Sequence, residues 1–465
     1  MRCQSMWTIR WPEVAGTNGP LELTPRNLTF KSENRKYDYC KAKFSTEIGE
    51  MLKPETGGRT GQLRDPQPVE LLLDNERIAA LYFKPDSVRY TDGGTHIEFY
   101  DLQESMDSGV VDMQWNEVKL RDIYEYVFEK RENDLIKEIK FALPDEAPGG
   151  TKFKTETITI DRRGSFEKLF GPERIEAYET KKMIESTYLF DTENTSPIEA
   201  IWELNELFQI QTWVDKDYTM WVGVPETLGV GHVAAPDDSR ALRYSNVNVS
   251  HPREPIAMVV VEGSWVDTPG IGADAGSFFN PWSKDGVGNS GDVRAEGFVK
   301  NPLVDIERGQ TFKVSVEQAK KEALPTIAWN YYSEKMKEAY NGSVRLNPEL
   351  SGNSFTDIED IKVGDYLYVV PDDDLFDDPA ASSGQLGFGP DKNDYCGQFV
   401  HNEIYIVTGV THSVTGSEWT VTVDISMVPD MIGQDDMGLR YFDPRSDDYL
   451  TEEDVFSGPR LFEEF

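Results

Sequence analysis

The stretch IYIVTGVTHSVTGSEWTVTVDI, Ile404 to Ile425, constrains the fold more than any other part of the chain. Apolar and polar residues alternate on both sides of the turn Thr415-Gly416-Ser417-Glu418, the pattern of two antiparallel strands. Counting by two, Ile404, Ile406, Thr408, Val410, His412 and Val414 share one face. Tyr405, Val407, Gly409, Thr411 and Ser413 share the other, and Trp419, Val421, Val423 and Ile425 line one face of the return strand. The parity also bears on chemistry. Thr411 and Ser413 flank a histidine but point away from its face, which excludes a Ser–His or Thr–His dyad within the strand. A hydrogen-bonded structural His412 is the expectation.

Further strands follow the same rules. VELLLD (69–74) and RIAALYF (77–83) are joined at Asp74-Asn75-Glu76, a tight hairpin signal, and THIEFYD (95–101) follows the turn Gly93-Gly94. Leu120, Ile123, Tyr124, Val127 and Phe128 fall on one helical stripe, predicting a helix that covers these strands as a small barrel or sandwich. Residues 131–185 give no consistent pattern: 142–150 is a loop, and 151–160 alternates as an exposed strand would. STYLFD (186–191) reads as a strand. Ser196-Pro197-Ile198-Glu199 then combines a capping box with proline at the first helical position. Ile198, Ile201, Trp202, Leu204, Leu207 and Phe208 give that helix its apolar face, and QTWV-DKDY-TMWVGV (211–224) makes a short hairpin.

The second half opens on MVVVEG (258–263), a buried-strand run. The Gly/Asp/Ser/Asn-rich segment 267–292 is a functional loop or a disordered insertion. A helix is expected from Ser315, with Gln318 as capping partner, a kink at Pro325 and an end at Asn341-Gly342. Strands return at 343–346 and 365–370 before the closing hairpin. The halves share element order without a residue-level repeat. The fold class is therefore mainly β with α (α+β), in roughly three domains for a chain of this length. The expected division is 1–135, a strand unit with a covering helix; 136–240, a smaller α/β unit; and 241–430, a second strand unit with insertions at 264–300 and 375–400. Residues 431–465 form an acidic, aromatic C-terminal arm. Tyr441, Phe442, Tyr449, Phe456, Phe462 and Phe465 mark it as an arm docked on a neighbouring subunit or as a frayed terminus.

The chain carries 83 acidic residues against 47 Lys plus Arg, a formal net charge of −36. Such a surface repels nucleic acid phosphates and anionic membranes. The excess runs along the whole chain and thickens at 371–379. Salt at about 1 M shortens the Debye length to about 3 Å and makes such self-repulsion tolerable. A halophilic origin fits; an ordinary acidic protein stays open, because lysine is not depleted. No run approaches the ~18 apolar residues of a membrane helix. MRCQSMWTIRWPEV lacks an apolar export region, and Cys3, Cys40 and Cys396 are too scattered for a disulfide framework, so synthesis in a reducing cytoplasm is expected.

The chemistry-bearing motifs are missing from the sequence. It has no phosphate loop ending in Gly-Lys-Ser/Thr and no GxGxxG turn. It has no GxSxG elbow, and His96, His232, His251, His401 and His412 show no ligand spacing. Calcium is conceivable at 191–195, 214–218 or 371–378, yet none has the glycine and glutamate of a dedicated loop. No catalytic, cofactor-binding or metal residues are expected, and the chain is not read as an enzyme.

Four stretches, taken in order, resemble the baseplate or tail hub proteins of tailed viruses, the family of late-control hub proteins and the hub part of type VI secretion spikes. They are VELLLDNERIAALYF leading to THIEFYD; SPIEAIWELNELFQIQTWVDKDYTMWVGVP; EQAKKEALPTIAWNYYSEKMKEAYNGSVRLNPEL with IKVGDYLYVV; and YIVTGVTHSVTGSEWTVTVDI. They cover about half the chain; the insertions, 131–185 and the arm lie outside the pattern. The resemblance implies two tail-tube-like β-barrels per chain, and a homotrimer presenting six of them. Such a hub joins a sixfold tail tube or distal tail protein above to a threefold tip, fibre or spike below. The resemblance also implies a virion location, a tape-measure partner, and an acidic DNA channel without sequence-specific binding. A haloarchaeal virus is the implied source. The rivals are a halophilic cell-surface or carbohydrate-binding β protein, and a glycosidase with paired carboxylates.

Overall fold

The computed structural model describes residues 6–12, 20–46, 66–142, 187–235, 242–250, 255–266, 292–301, 304, 306–316, 323–348, 358–369, 404–416, 418–427, 437–443 and 448–451. The first strands are β1 (Trp7–Trp11), β2 (Leu21–Leu23), β3 (Asn27–Glu33), β4 (Tyr39–Phe44), β5 (Gln67–Leu73), β6 (Glu76–Phe83), β7 (Arg89–Thr91) and β8 (Gly94–Asp101). Their pairing order is β2-β1-β5-β6-β8-β4-β3, with β7 on β8. Asp74 and Asn75 both have positive φ (50° and 70°), the conformation of a two-residue hairpin turn whose twist matches its strands. Period-two alternation puts Trp11, Phe30, Phe44, Leu71, Phe83 and Phe99 on one face, where they meet in a single core. Trp11 packs on Phe83 and Phe99 at 6.1 and 5.8 Å between ring centroids.

The middle of the chain holds β9 (Val111–Lys119), α1 (Leu120–Glu129), β10 (Glu138–Ala142), β11 (Thr187–Thr195), α2 (Pro197–Phe208), β12 (Gln211–Val214) and β13 (Thr219–Gly223). All five stripe residues of α1 are buried. Its cover is not the first set of strands, however: α1 packs on α2 and on the antiparallel ribbon β9–β11, because the apolar face of α2 meets that stripe. The start of α2 follows the sequence rule. Ser196 accepts from the Glu199 N–H, the Glu199 carboxylate accepts from the Ser196 N–H at 3.2 Å, and Pro197 opens the helix. Trp202, expected on the buried face, is 38% exposed and leans on Tyr37 instead. Residues 143–186, most of the stretch without a pattern, lie outside the described residues.

The rest comprises β14 (Gly231–Ala235), β15 (Leu242–Val249), β16 (Ile256–Val266), β17 (Asp292–Lys300), β18 (Gln310–Val316), α3 (Leu324–Ala339), β19 (Asn341–Leu346), β20 (Tyr366–Val369), β21 (Ile404–Thr415), β22 (Glu418–Met427), β23 (Met437–Asp443) and β24 (Asp448–Thr451). Pairing runs β21-β20-β14-β15-β19-β22 and returns from β22 to β21, so these strands close a barrel. A separate five-stranded sheet, β18-β16-β17-β23-β24, carries α3 on β16 and β17. Strand pairing thus cuts across the expected division. The barrel draws β14 from before residue 241, while β16 to β18 leave it to pair with 437–451. Those residues, expected as an arm or a frayed terminus, complete a sheet of the chain itself; Tyr441 pairs with Ala295. Phe456, Phe462, Phe465 and the 375–400 insertion lie outside the described residues, as does most of 264–300.

The expected helix start at Ser315 is overturned. Ser315, on β18, pairs with Glu262 of β16, and α3 begins at Leu324. Pro325 therefore sits in the first turn, where its missing N–H breaks no helical bond, and no kink is called for. The helix enters over two glycines. A Cβ on Gly297 would lie 2.2 Å from the Leu324 carbonyl carbon, and one on Gly263 would lie 2.7 Å from the Leu324 side chain. Gly297→Ala is expected to cost about 2–3 kcal/mol in denaturant unfolding, since backbone must move. A cost below about 0.5 kcal/mol would mean that α3 shifts freely on its sheet.

Candidate functional site: the junction around the closing hairpin

Strand β21 belongs to both strand units. Ile404 to Ile406 pair with β20 in the closed barrel, whereas Gly409 to Thr415 pair with β3 in the first sheet. The change of partner falls at a bulge: Val407 faces Ile425, Gly409 faces Asp424, and one extra residue is spent between them. There Asn34 N–H donates to Thr408 O at 2.7 Å and Gly364 N–H donates to Val407 O at 2.8 Å. The bulge also corrects the parity count. Val407, not Ile406, shares the face of Val410 and His412, since these three pair with Ile425, Val423 and Val421. Thr411 and Ser413, beyond the bulge, remain on the face opposite His412.

His412 is 2% exposed. Its ring lies 5.4 Å from Trp7, 6.1 Å from Phe30 and 6.0 Å from Trp419, and Trp7 meets Trp419 edge-on at 5.7 Å. This cluster joins β1 to the closing hairpin through side chains, where no backbone pairing links them. Burial pushes the His412 pKa down to about 4, so the imidazole is neutral near pH 7. Its Nδ1 and the Nε1 atoms of Trp7 and Trp419 are buried without a hydrogen-bond partner among the described residues.

Buried charges tie the units together elsewhere. Lys337 of α3 contacts Glu226, in the turn Pro225–Thr227, and Glu334 at 2.7 Å; its side chain and that of Glu226 are each 4% exposed. Glu334 in turn accepts from Asn34 Nδ2 at 2.9 Å and pairs with Arg35 at 3.1 Å, both in the turn after β3. The Arg35 side chain also donates to Gln209, which caps α2, and its backbone N–H donates to the side chain of Gln211 on β12. Burial alone would lower the Lys337 pKa, but the two carboxylates outweigh it and raise it. Burial would likewise raise Glu334, and Lys337 and Arg35 hold it below its usual range. At a second junction Glu70 of β5 accepts from Arg10 at 2.6 Å, Arg77 at 2.8 Å and the Tyr218 hydroxyl at 3.1 Å. In the closed barrel, buried His232 of β14 bonds Asp365 at 2.8 Å, and Asp365 also accepts the N–H groups of Val230 and Lys362.

Between the first sheet, the β12–β13 hairpin and the segment before β20 lies a cavity of about 300 Å³. Asp38 and Asp101 reach it, and Asp101 accepts N–H bonds from Gln103 at 2.8 Å and Asp38 at 3.2 Å. Burial, helped by the neighbouring Asp101, raises Asp38 to about 7; burial raises Asp101 to about 6. The folded chain therefore holds protons here that the unfolded chain has released, so this pair loses stability as pH rises from about 4 to about 7. Asp38→Asn is expected to raise stability at pH 7 by on the order of 1–2 kcal/mol and to flatten that slope, read from thermal unfolding across pH. Unchanged pH dependence would contradict the pairing.

Of the acidic stretches weighed for calcium, 214–218 is a turn whose Asp215 carboxylate accepts from the N–H groups of Asp217 and Thr219 and from Trp221 Nε1. In 191–195 the described side chains include a Thr192–Thr195 hydroxyl bond, and 371–378 lies outside the described residues. Sequence reasoning missed Glu70, Lys337, Asp38 and Asp101. The signal for the first was in view: a lone carboxylate inside the apolar run VELLL.

No protein-family model matches the sequence, and no curated protein matches it. Solved structures do. The tail protein from Neisseria meningitidis MC58 matches with a TM-score of 0.52 at 11% identity, over 91% of this chain and 97% of that one. A prophage MuSo2 43 kDa tail protein from Shewanella oneidensis matches with a TM-score of 0.48 at 10% identity, over 90% of this chain and 98% of that one. An E. coli type VI secretion component, described as structurally similar to the T4 tail proteins gp27 and gp5, gives 0.41 at 8% identity, over 90% and 80%. The fold is similar to that of the Neisseria tail protein, and the resemblance drawn from sequence holds at that level.

Proposed function

We propose that the chain is a structural tail protein, three copies of which close into a hub between a sixfold tube and a threefold tip. The observation that carries this reading is the fold match to a tail protein over 91% of this chain and 97% of the other. The proposed tube-like units are the sheet of β1 to β8 and the barrel of β14, β15 and β19 to β22, fused through β21. Three chains then present six such units, which matches a sixfold ring. The middle unit and the five-stranded sheet brace them through the Lys337 and Glu70 clusters.

The net charge of −36 serves this role, because an acidic channel wall lets DNA slide past without sticking. The site of action is the tail end of a virion, with a tube or distal tail protein above, a tip, fibre or spike protein below, and a tape-measure protein in the channel. The host is proposed to be halophilic. Its thermal midpoint is accordingly expected to rise by several degrees between roughly 0.1 M and about 2 M KCl; a fall would contradict salt adaptation. The functional test is co-assembly. Mixed with the tube protein of its own tail, the chain is expected to cap or nucleate tubes seen by electron microscopy, and tubes left bare would count against a hub.

A further inference from the structure

The cavity beneath β21 is richer in acceptors than its neighbourhood requires. Glu33 and Lys36 enter it near the β3–β4 turn, Asp215 and Lys216 from the β12–β13 turn, and Glu359 and Lys362 from the segment before β20. These six charges balance in number, and Asp365 is held by His232. Asp38 and Asp101 remain. Their partners are the Ser32 hydroxyl, the Gln103 side chain and the backbone N–H groups of Asp38 and Gln103, and neither carboxylate has an ion pair among the described residues. They are hydrogen-bonded, face no cationic side chain among these residues, and hold a proton where a cation could sit.

A second observation points the same way. His412 lines the same cavity, is 98% buried by its 2% exposure, and keeps Nδ1 without a partner. A neutral imidazole carries one N–H and one lone-pair nitrogen, and the lone pair can accept. Trp213, stacked on Trp221 with centroids 6.5 Å apart, supplies an aromatic wall. Two carboxylates, a ring nitrogen acceptor and an indole face all call for a cation with several N–H donors. A planar guanidinium satisfies them together, because it forks to carboxylates and stacks on indole, which a compact ammonium does less well. The volume of about 300 Å³ lies at the small end of ligand sites and suits a side-chain-sized group.

We infer that this cavity is a receptor for a guanidinium group, from an arginine side chain of a docking protein or from a free guanidinium compound. The inference stands apart from the tail reading, since it is tested on the isolated chain and survives or fails whatever the oligomer. The experiment is isothermal titration of the full chain near about pH 6.5 with N-acetylarginine amide, methylguanidinium and the neutral isostere N-acetylcitrulline amide. Saturable binding of a guanidinium probe is expected, with proton release as the bound cation displaces the proton on the Asp38–Asp101 pair. The citrulline compound and the Asp38→Asn chain are expected to bind about tenfold more weakly or worse. Tighter binding of the arginine amide than of methylguanidinium assigns the site to a partner's side chain; equal binding assigns it to free compounds. Absence of saturable binding by both cations, or citrulline bound as well as arginine, overturns the inference. The citrulline comparison uses the unaltered chain, so it holds even if the variant misfolds.

Discussion

Lys337→Met is expected to destabilise the chain by about 3–5 kcal/mol, the largest single effect in the molecule. The lysine is buried between Glu226 and Glu334, and methionine keeps most of its volume while removing the charge. What remains is a pair of buried carboxylates, one of them still held by Arg35 and Asn34. The cost is that of stranding Glu226, not the net worth of the ion pair, and the two differ. Replacing both partners, Lys337→Met with Glu226→Gln, is therefore expected to recover at least half of the loss. The denaturant midpoint at constant m-value reads both. A single-variant loss below about 1 kcal/mol would mean that water reaches the cluster and that the junction is open.

His412→Gln is expected to remove about 3 kcal/mol of acid sensitivity. The folded-state pKa near 4 lies below the ordinary histidine value, so the folded chain resists a proton that the unfolded chain takes up. The stability this histidine contributes is complete above about pH 6.5 and is lost as pH falls toward 4. Asp38 and Asp101 act with the opposite sign in an overlapping window, which partly masks the slope in the unaltered chain. The comparison is therefore cleanest in an Asp38→Asn background, where urea unfolding at stepped pH should show the histidine slope and its loss in the double variant. At neutral pH the glutamine is expected to forfeit ring packing against Trp7, Phe30 and Trp419, about 1 kcal/mol, and to spare assembly. A slope that survives the substitution would place the acid sensitivity elsewhere.

The two variants also mark what sequence could and could not deliver. Local rules sufficed where neighbours in sequence decide the outcome: the Asp74-Asn75 turn, the Ser196–Glu199 cap and the stripe of α1 all form as their spacing predicts. Counting by two succeeded along β22 and failed along β21, because a bulge at Thr408–Gly409 adds a residue that no periodicity announces. That bulge exists because β21 changes partner from β20 to β3, a long-range fact. The same limit explains the misplaced start of α3. Ser315 and Gln318 satisfy a capping pattern, yet Ser315 is claimed by pairing with β16. The site was the least legible part. Asn330, Ser333 and Lys337 line a buried face of α3 that reads as solvated until Glu226 and Ser426 are brought against it from elsewhere in the chain. Asp38 and Asp101 are 63 positions apart and meet only because β4 pairs with β8.

The central claim is that three copies form one ring, and the mass of the purified chain in molar salt tests it most directly. Light scattering is expected to give three times the 52.8 kDa of one chain, in a particle with threefold symmetry under the electron microscope. A stable monomer at every salt and protein concentration, or a closed dimer, would contradict it.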